Sequence, residues 1–161
     1  MKKTVYSAFM ALVVTGIVLS SCSKKPDVEY TATYKMAGEW FVEYYLNGSA
    51  ITDYSKILTY NTADVSASQI WVVDTLTGGF KAKLDVDYPA LSFKAMDKAP
   101  NLYHPGNTIK VYEGKVVPGA GHSKSGSLVD SIYLKLEFSD DPGSVYEIKG
   151  HQRTGFFEDE Y

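Results

Sequence analysis

Apolar and polar residues alternate with a period of two through most of the chain after Gly38, and Gly, Pro, Asn and Asp interrupt the alternation at intervals. A period of two predicts strands with one buried face, because successive strand side chains point to opposite sides. Glu39–Leu46 puts Trp40, Val42, Tyr44 and Leu46 on one face and stops at Asn47-Gly48, a tight-turn pair. Lys56–Thr62 and Gln69–Thr75 follow, with Gly78-Gly79 as the next turn signal. Phe80–Asp87 alternates most regularly: Phe80, Ala82, Leu84 and Val86 oppose Lys81, Lys83, Asp85 and Asp87. Ala90–Ala95, Thr108–Val117, Ser131–Phe138 and Val145–Gly150 complete the set, the third of these burying Ile132, Leu134, Leu136 and Phe138. Met96–Asn107, with two of the six prolines, reads as a long loop, and Pro118–Ser127 as a Gly/Ser-rich one. No stretch carries a helical period.

Eight short strands joined in sequence predict an all-β fold. An open antiparallel sheet of that length would expose two edges, and closure removes them. The expected architecture is an eight-stranded antiparallel up-and-down barrel, with a two-sheet sandwich as the other solution of the same pattern. Eight strands enclose a space that side chains just fill or that holds one small ligand. The interior candidates for such a ligand are Trp40, Tyr44, Phe93 and Phe138, together with Trp71 and Tyr112 if their strands turn those faces inward. Large aromatic side chains with hydroxyl handles suit an apolar pocket.

The first 21 residues read as a targeting signal rather than structure. Lys2 and Lys3 precede an apolar run from Tyr6 to Leu19, which is too short to span a bilayer. Leu19-Ser20-Ser21-Cys22 then resembles the lipobox of bacterial lipoproteins, in which the thiol receives a diacylglycerol and the chain is cut before the Cys. On that reading residues 22–35 are a tether behind acylated Cys22, and 36–161 form one domain. Two or three acyl chains anchor stably where one does not. Ser23 follows the Cys where Asp would signal retention, so the resemblance implies an outer-membrane location. Either face of that membrane fits the sequence.

Composition removes other classes. A single Cys excludes a disulfide framework and Cys-rich metal sites. A net charge of −3, or 14 basic against 19 acidic residues once Lys2 and Lys3 are cleaved away, argues against a nucleic-acid partner. Thirteen Tyr lift the aromatic share to 14%, which favours strands. No cofactor fingerprint appears, and His104, His122 and His151 share no ligand spacing with other donors, so no metal is expected.

Gly38-Glu39-Trp40 opens the first strand and Arg153, the only Arg, follows the last. This pair resembles the lipocalin-like (calycin) barrel, where a Gly-x-Trp and an Arg meet at the closed end, the guanidinium stacking on the indole. More narrowly, Ala37-Gly38-Glu39-Trp40, Ile70-Trp71-Val72 and Gly150–Phe156 resemble a Bacteroidota lipoprotein family described as lipid-binding putative hydrolases. The resemblance implies binding of a small hydrophobic or lipid-like ligand close to the anchoring membrane. Asp74-Thr75-Leu76 and Asp130-Ser131-Ile132 resemble Bacteroidota O-glycosylation sites, with Thr75 and Ser131 as acceptors.

No catalytic residue can be assigned. The Gly-x-Ser-x-Gly elbow is absent, and adjacent His122 and Ser123 in Gly121–Gly126 point apart in an extended segment. An enzyme is therefore not the leading expectation; a hydrolase of lipid-like esters rests on the family description alone. A filled barrel docking an envelope protein through its Tyr-rich surface is the other alternative. Phe156–Tyr161 makes an acidic, aromatic tail, and Asp85, Asp87 and Glu158-Asp159-Glu160 are read as solvated.

Overall fold

A computed structural model describes residues 27–64, 66–74, 76 and 79–161, so Cys22 and Thr75 lie outside the described residues. The strands are β1 (Gly38–Leu46), β2 (Ser49–Ala50), β3 (Ser55–Asn61), β4 (Gln69–Asp74), β5 (Phe80–Asp87), β6 (Ser92–Pro100), β7 (Thr108–His122), β8 (Leu128–Phe138) and β9 (Val145–Gln152). Apart from the two-residue stub β2, each pairs antiparallel with the next, and β1 also pairs with β9 from Trp40↔Gln152 to Leu46↔Tyr146. The result is the closed eight-stranded antiparallel barrel that the alternation predicts, with no free sheet edge along the β1–β9 seam.

Inward positions follow the predicted faces. Trp40, Val42, Tyr44, Phe80, Ala82, Leu84, Ile132, Leu134 and Leu136 are all buried in one apolar cluster of twenty side chains. These buried side chains form the hydrophobic core, one of the two outcomes that eight strands allow. Trp40, Phe80, Phe93 and Met36 are the largest of the fully buried side chains. Phe93 lies across Gly114, where any Cβ would overlap its ring. Met36 arrives from a short 3-10 turn, Tyr34–Met36, that closes one end of the barrel. Thr59 Oγ1 donates to the Met36 carbonyl at 2.6 Å and accepts from the Trp40 indole at 2.8 Å, so the plug is hydrogen-bonded to the wall. Burying side chains of this size contributes about 1.5–3 kcal/mol each.

The stretches expected to be loops are partly strand. β7 and β8 continue pairing through Gly121↔Val129 and His122↔Leu128, so Pro118–Ser127 shrinks to a hairpin tip. β6 runs on to Pro100, but with register shifts between Ser92 and Ala95 and again before Ala99, and with Lys98 at φ 64°. Each shift resets which face a side chain takes, which is why the period of two disappears from the sequence there. The connections after β5 and β7 and the C-terminal tail share the closed end with Met36; those after β4, β6 and β8 lie at the far end. Asp159 is buried, which corrects the reading of Glu158-Asp159-Glu160 as wholly solvated, while Phe156, Phe157 and Glu158 are exposed. Tyr161 stacks on Tyr54 at 3.9 Å and meets Phe41 edge-on at 4.9 Å, covering the outside of β1 and β9.

Candidate ligand-binding cleft

The bulges of β6 have a consequence for the wall. β5 and β6 pair only at Asp85↔Lys94, Val86↔Phe93 and Asp87↔Ser92. They meet again where Leu102 N donates to the Lys81 carbonyl at 2.8 Å and Asn101 Oδ1 accepts from Lys81 N at 3.2 Å. Between these closures the strands part. The opening is a cleft of about 410 Å³ on the outside of the barrel. Ala95 and Ala99 form its floor, small side chains that let it reach down to the core. Trp71 makes one wall, and Pro100 with half-exposed Leu102 makes the other. The volume falls in the range of small-molecule sites, and the lining has the usual composition of apolar surface with a few polar groups.

Those polar groups sit at the rim. Lys81 Nζ and Lys83 Nζ stand 5.0 and 5.2 Å from the Trp71 ring centroid. Cation–π attraction and the apolar lysine stems both hold the indole in place. Gln69 Nε2 donates to Asp85 Oδ1 at 3.2 Å, and Asp97 and Lys98 complete the edge. An amphipathic molecule meets both its needs here, with an apolar body over Ala95, Ala99 and Trp71 and a polar group among the rim charges.

A family model described as "lipid-binding putative hydrolase" matches residues 25–157. The chain belongs to that family. No curated protein matches it. Among solved structures, a protein of unknown function from Bacteroides ovatus is similar at 13% identity and a TM-score of 0.42, over 78% of this chain and 43% of that one. The chain thus spans less than half the length of that structural relative.

In this member of the lipid-binding family, the predicted site residues separate. Trp40, Tyr44 and Phe93 point inward as packed core; the Tyr44 hydroxyl donates to the buried Asp74 carboxylate. Trp71 and Tyr112 stand on the outer face, which corrects their assignment to the interior. The alternation explains it: Ile70 and Val72 take the inward positions around Trp71, and Val111 takes the one before Tyr112. Tyr112 donates to Glu137 Oε2 at 2.6 Å, and this bond pushes the Tyr112 hydroxyl above its ordinary pKa. Phe138 is half-buried at the far mouth between Phe80 and Tyr146, beside a recess of about 290 Å³ that also includes Asn101 and His104.

Arg153 meets the start of β1, since its N–H donates to the Glu39 carbonyl at 2.8 Å. Its guanidinium, however, goes to carboxylates, Nη1 to Glu39 at 2.7 Å and Nε to Glu160 at 2.5 Å. The expected stacking on Trp40 is corrected: Trp40 turns into the core, while its neighbour Glu39 is exposed and takes the cation. These carboxylates hold the Arg153 pKa above its usual value. Ser131 lies half-buried in β8 opposite His151.

The histidines stay apart. His151 Nε2 faces the Tyr161 hydroxyl at 3.1 Å, and His122 Nδ1 faces the Gly126 carbonyl at 3.4 Å in the hairpin tip. Among the described residues no group of three His, Cys, Asp or Glu side chains is arranged to hold a metal ion. Ala95, Ala99, Pro100 and Leu102 were not legible as site residues. The signals that mark them are the lost period after Ala95 and a Pro inside a strand, which favours a bulge or an unpaired edge.

Proposed function

We propose that this protein is a membrane-anchored lipoprotein that binds a lipid-like molecule in the cleft between β5 and β6. The observation that carries the reading is the parted wall itself, about 410 Å³ over Trp71, Ala95 and Ala99 in a barrel whose interior is otherwise core. Membership of a family described as lipid-binding supports the ligand class. The rim lysines suit an anionic or zwitterionic head, and acylation of Cys22 would keep the cleft near its source of ligand.

Palmitate serves as the probe. Trp40 is buried in the core and Trp71 lies beside the cleft, so ligand-dependent indole fluorescence reports Trp71. Equilibrium dialysis with radiolabelled palmitate, which does not depend on the indole, is expected to show saturable binding weakened about tenfold or more in Trp71→Ala, which corresponds to about 1.4 kcal/mol or more. Thermal stability should shift by no more than about 0.5 kcal/mol, because Trp71 lies outside the core. Equal affinity of wild type and Trp71→Ala would exclude the cleft, and an intact mass at Cys22 without added acyl chains would exclude the anchor.

A further inference from the structure

The closed end of the barrel carries apolar side chains held out into solvent. Phe157 is 93% exposed and Phe156 63%. Neither hangs on a loose end. Phe157–Asp159 forms a 3-10 turn, and Asp159, 1% exposed, accepts from Ser125 N–H and from the Thr154 hydroxyl, each at 2.6 Å. Glu160 is fixed on both sides, its carboxylate by Arg153 and its carbonyl by Lys124 Nζ at 2.7 Å. A buried carboxylate and a paired cation therefore hold two consecutive phenylalanines pointing away from the molecule.

Other apolar groups share that end. Leu128 begins β8 beside the hairpin tip that Asp159 grips and is 67% exposed. Tyr30 and Tyr34, stacked at 4.4 Å, precede the Met36 plug. The chain from Cys22 enters at this same end. Four residues separate Cys22 from Asp27, and the five steps between them span at most about 18 Å when extended.

We infer that the closed end of the barrel docks on a lipid bilayer, with Phe156, Phe157 and Leu128 entering the interface. The inference rests on the reading of Cys22 as acylated. Aromatic side chains favour the interfacial zone, and a short acylated tether brings this end, not the far mouth, to the surface. The docked orientation would leave the far mouth turned away from the bilayer.

Acylation also makes the test specific. In the acylated protein Cys22 carries no free thiol, so Phe157→Cys supplies the single reactive one. Purified acylated Phe157→Cys is labelled with a polarity-sensitive dye and reconstituted on phosphatidylcholine vesicles. The expected result is a blue shift and a several-fold rise in emission, with quenching by brominated acyl chains. Ser49→Cys, exposed at the far end, should keep its aqueous emission. An aqueous signal at position 157 on vesicle-bound protein, or equal burial at 49 and 157, overturns the docking. Wild-type protein that takes up the dye at Cys22 overturns the anchor instead, so the two failures are told apart.

Discussion

Gly150 lies in β9 between Val42 of β1 and Ile132 of β8, at the seam that closes the barrel. A Cβ there would overlap the Phe41 carbonyl oxygen and come within 2.7 Å of Val42 Cγ1. The obstacle is main chain, which cannot swing aside as a side chain can. Gly150→Ala is expected to destabilise the fold by about 3 kcal/mol or more, the severe end of overpacking, read as a fall in denaturant midpoint. Gly114 has the same character, with the Phe93 ring filling the space a side chain would take. Neither role can be read from the chain alone. A glycine inside a strand announces a close approach without naming what approaches, because the neighbours come from other strands, Phe41 and Val42 of β1 for Gly150 and Phe93 of β6 for Gly114.

At the scale of elements, the C-terminal segment shows how one buried group organises several exposed ones. Bonds from Thr154 and Ser125 hold the Asp159 carboxyl well below the usual carboxylate range. A depressed folded pKa means that the native state resists protonation there. The stability it supplies is complete above the ordinary carboxylate value, about 3.9, and is lost as pH falls below that toward the depressed one. The tail should therefore resist carboxypeptidase at pH 7 and loosen only in stronger acid. Asp159→Asn should be clipped faster at every pH and lose that acid dependence, as mass spectrometry of the C-terminus would record. The acidic run Glu158-Asp159-Glu160 looks like a solvated tail in sequence, since charge density is all that a linear pattern conveys. That the middle carboxylate turns inward depends on the hairpin tip at Ser125, which only the folded barrel brings near.

For the whole molecule, closure places side chains outside the core into shared surroundings. Burial, followed by the nearby Glu147, pushes the Tyr133 hydroxyl up to about 12, and burial, followed by Tyr54, does the same for Tyr161. A raised folded pKa makes their contribution to stability complete below the ordinary tyrosine value, about 10, and lost as pH climbs from there toward 12. An alkaline titration followed by tyrosinate absorbance should show these two ionising late, with unfolding setting in above pH 10. Tyr133→Phe and Tyr161→Phe should each remove part of that late phase. The all-β class, the eight strands and the inward faces of β1, β5 and β8 were determined by sequence alone, because a period of two is a local property that one strand displays by itself. The family resemblance was legible as well, in residues on strands that open and close the domain. Tertiary structure decided what the alternation cannot carry: that Trp40, Tyr44 and Phe93 are buried in one core cluster, that Trp71 and Tyr112 face outward, that Arg153 serves Glu39 and Glu160, and that β6 parts from β5. Each depends on register between strands, and a bulge that shifts register erases the very pattern from which the sequence is read.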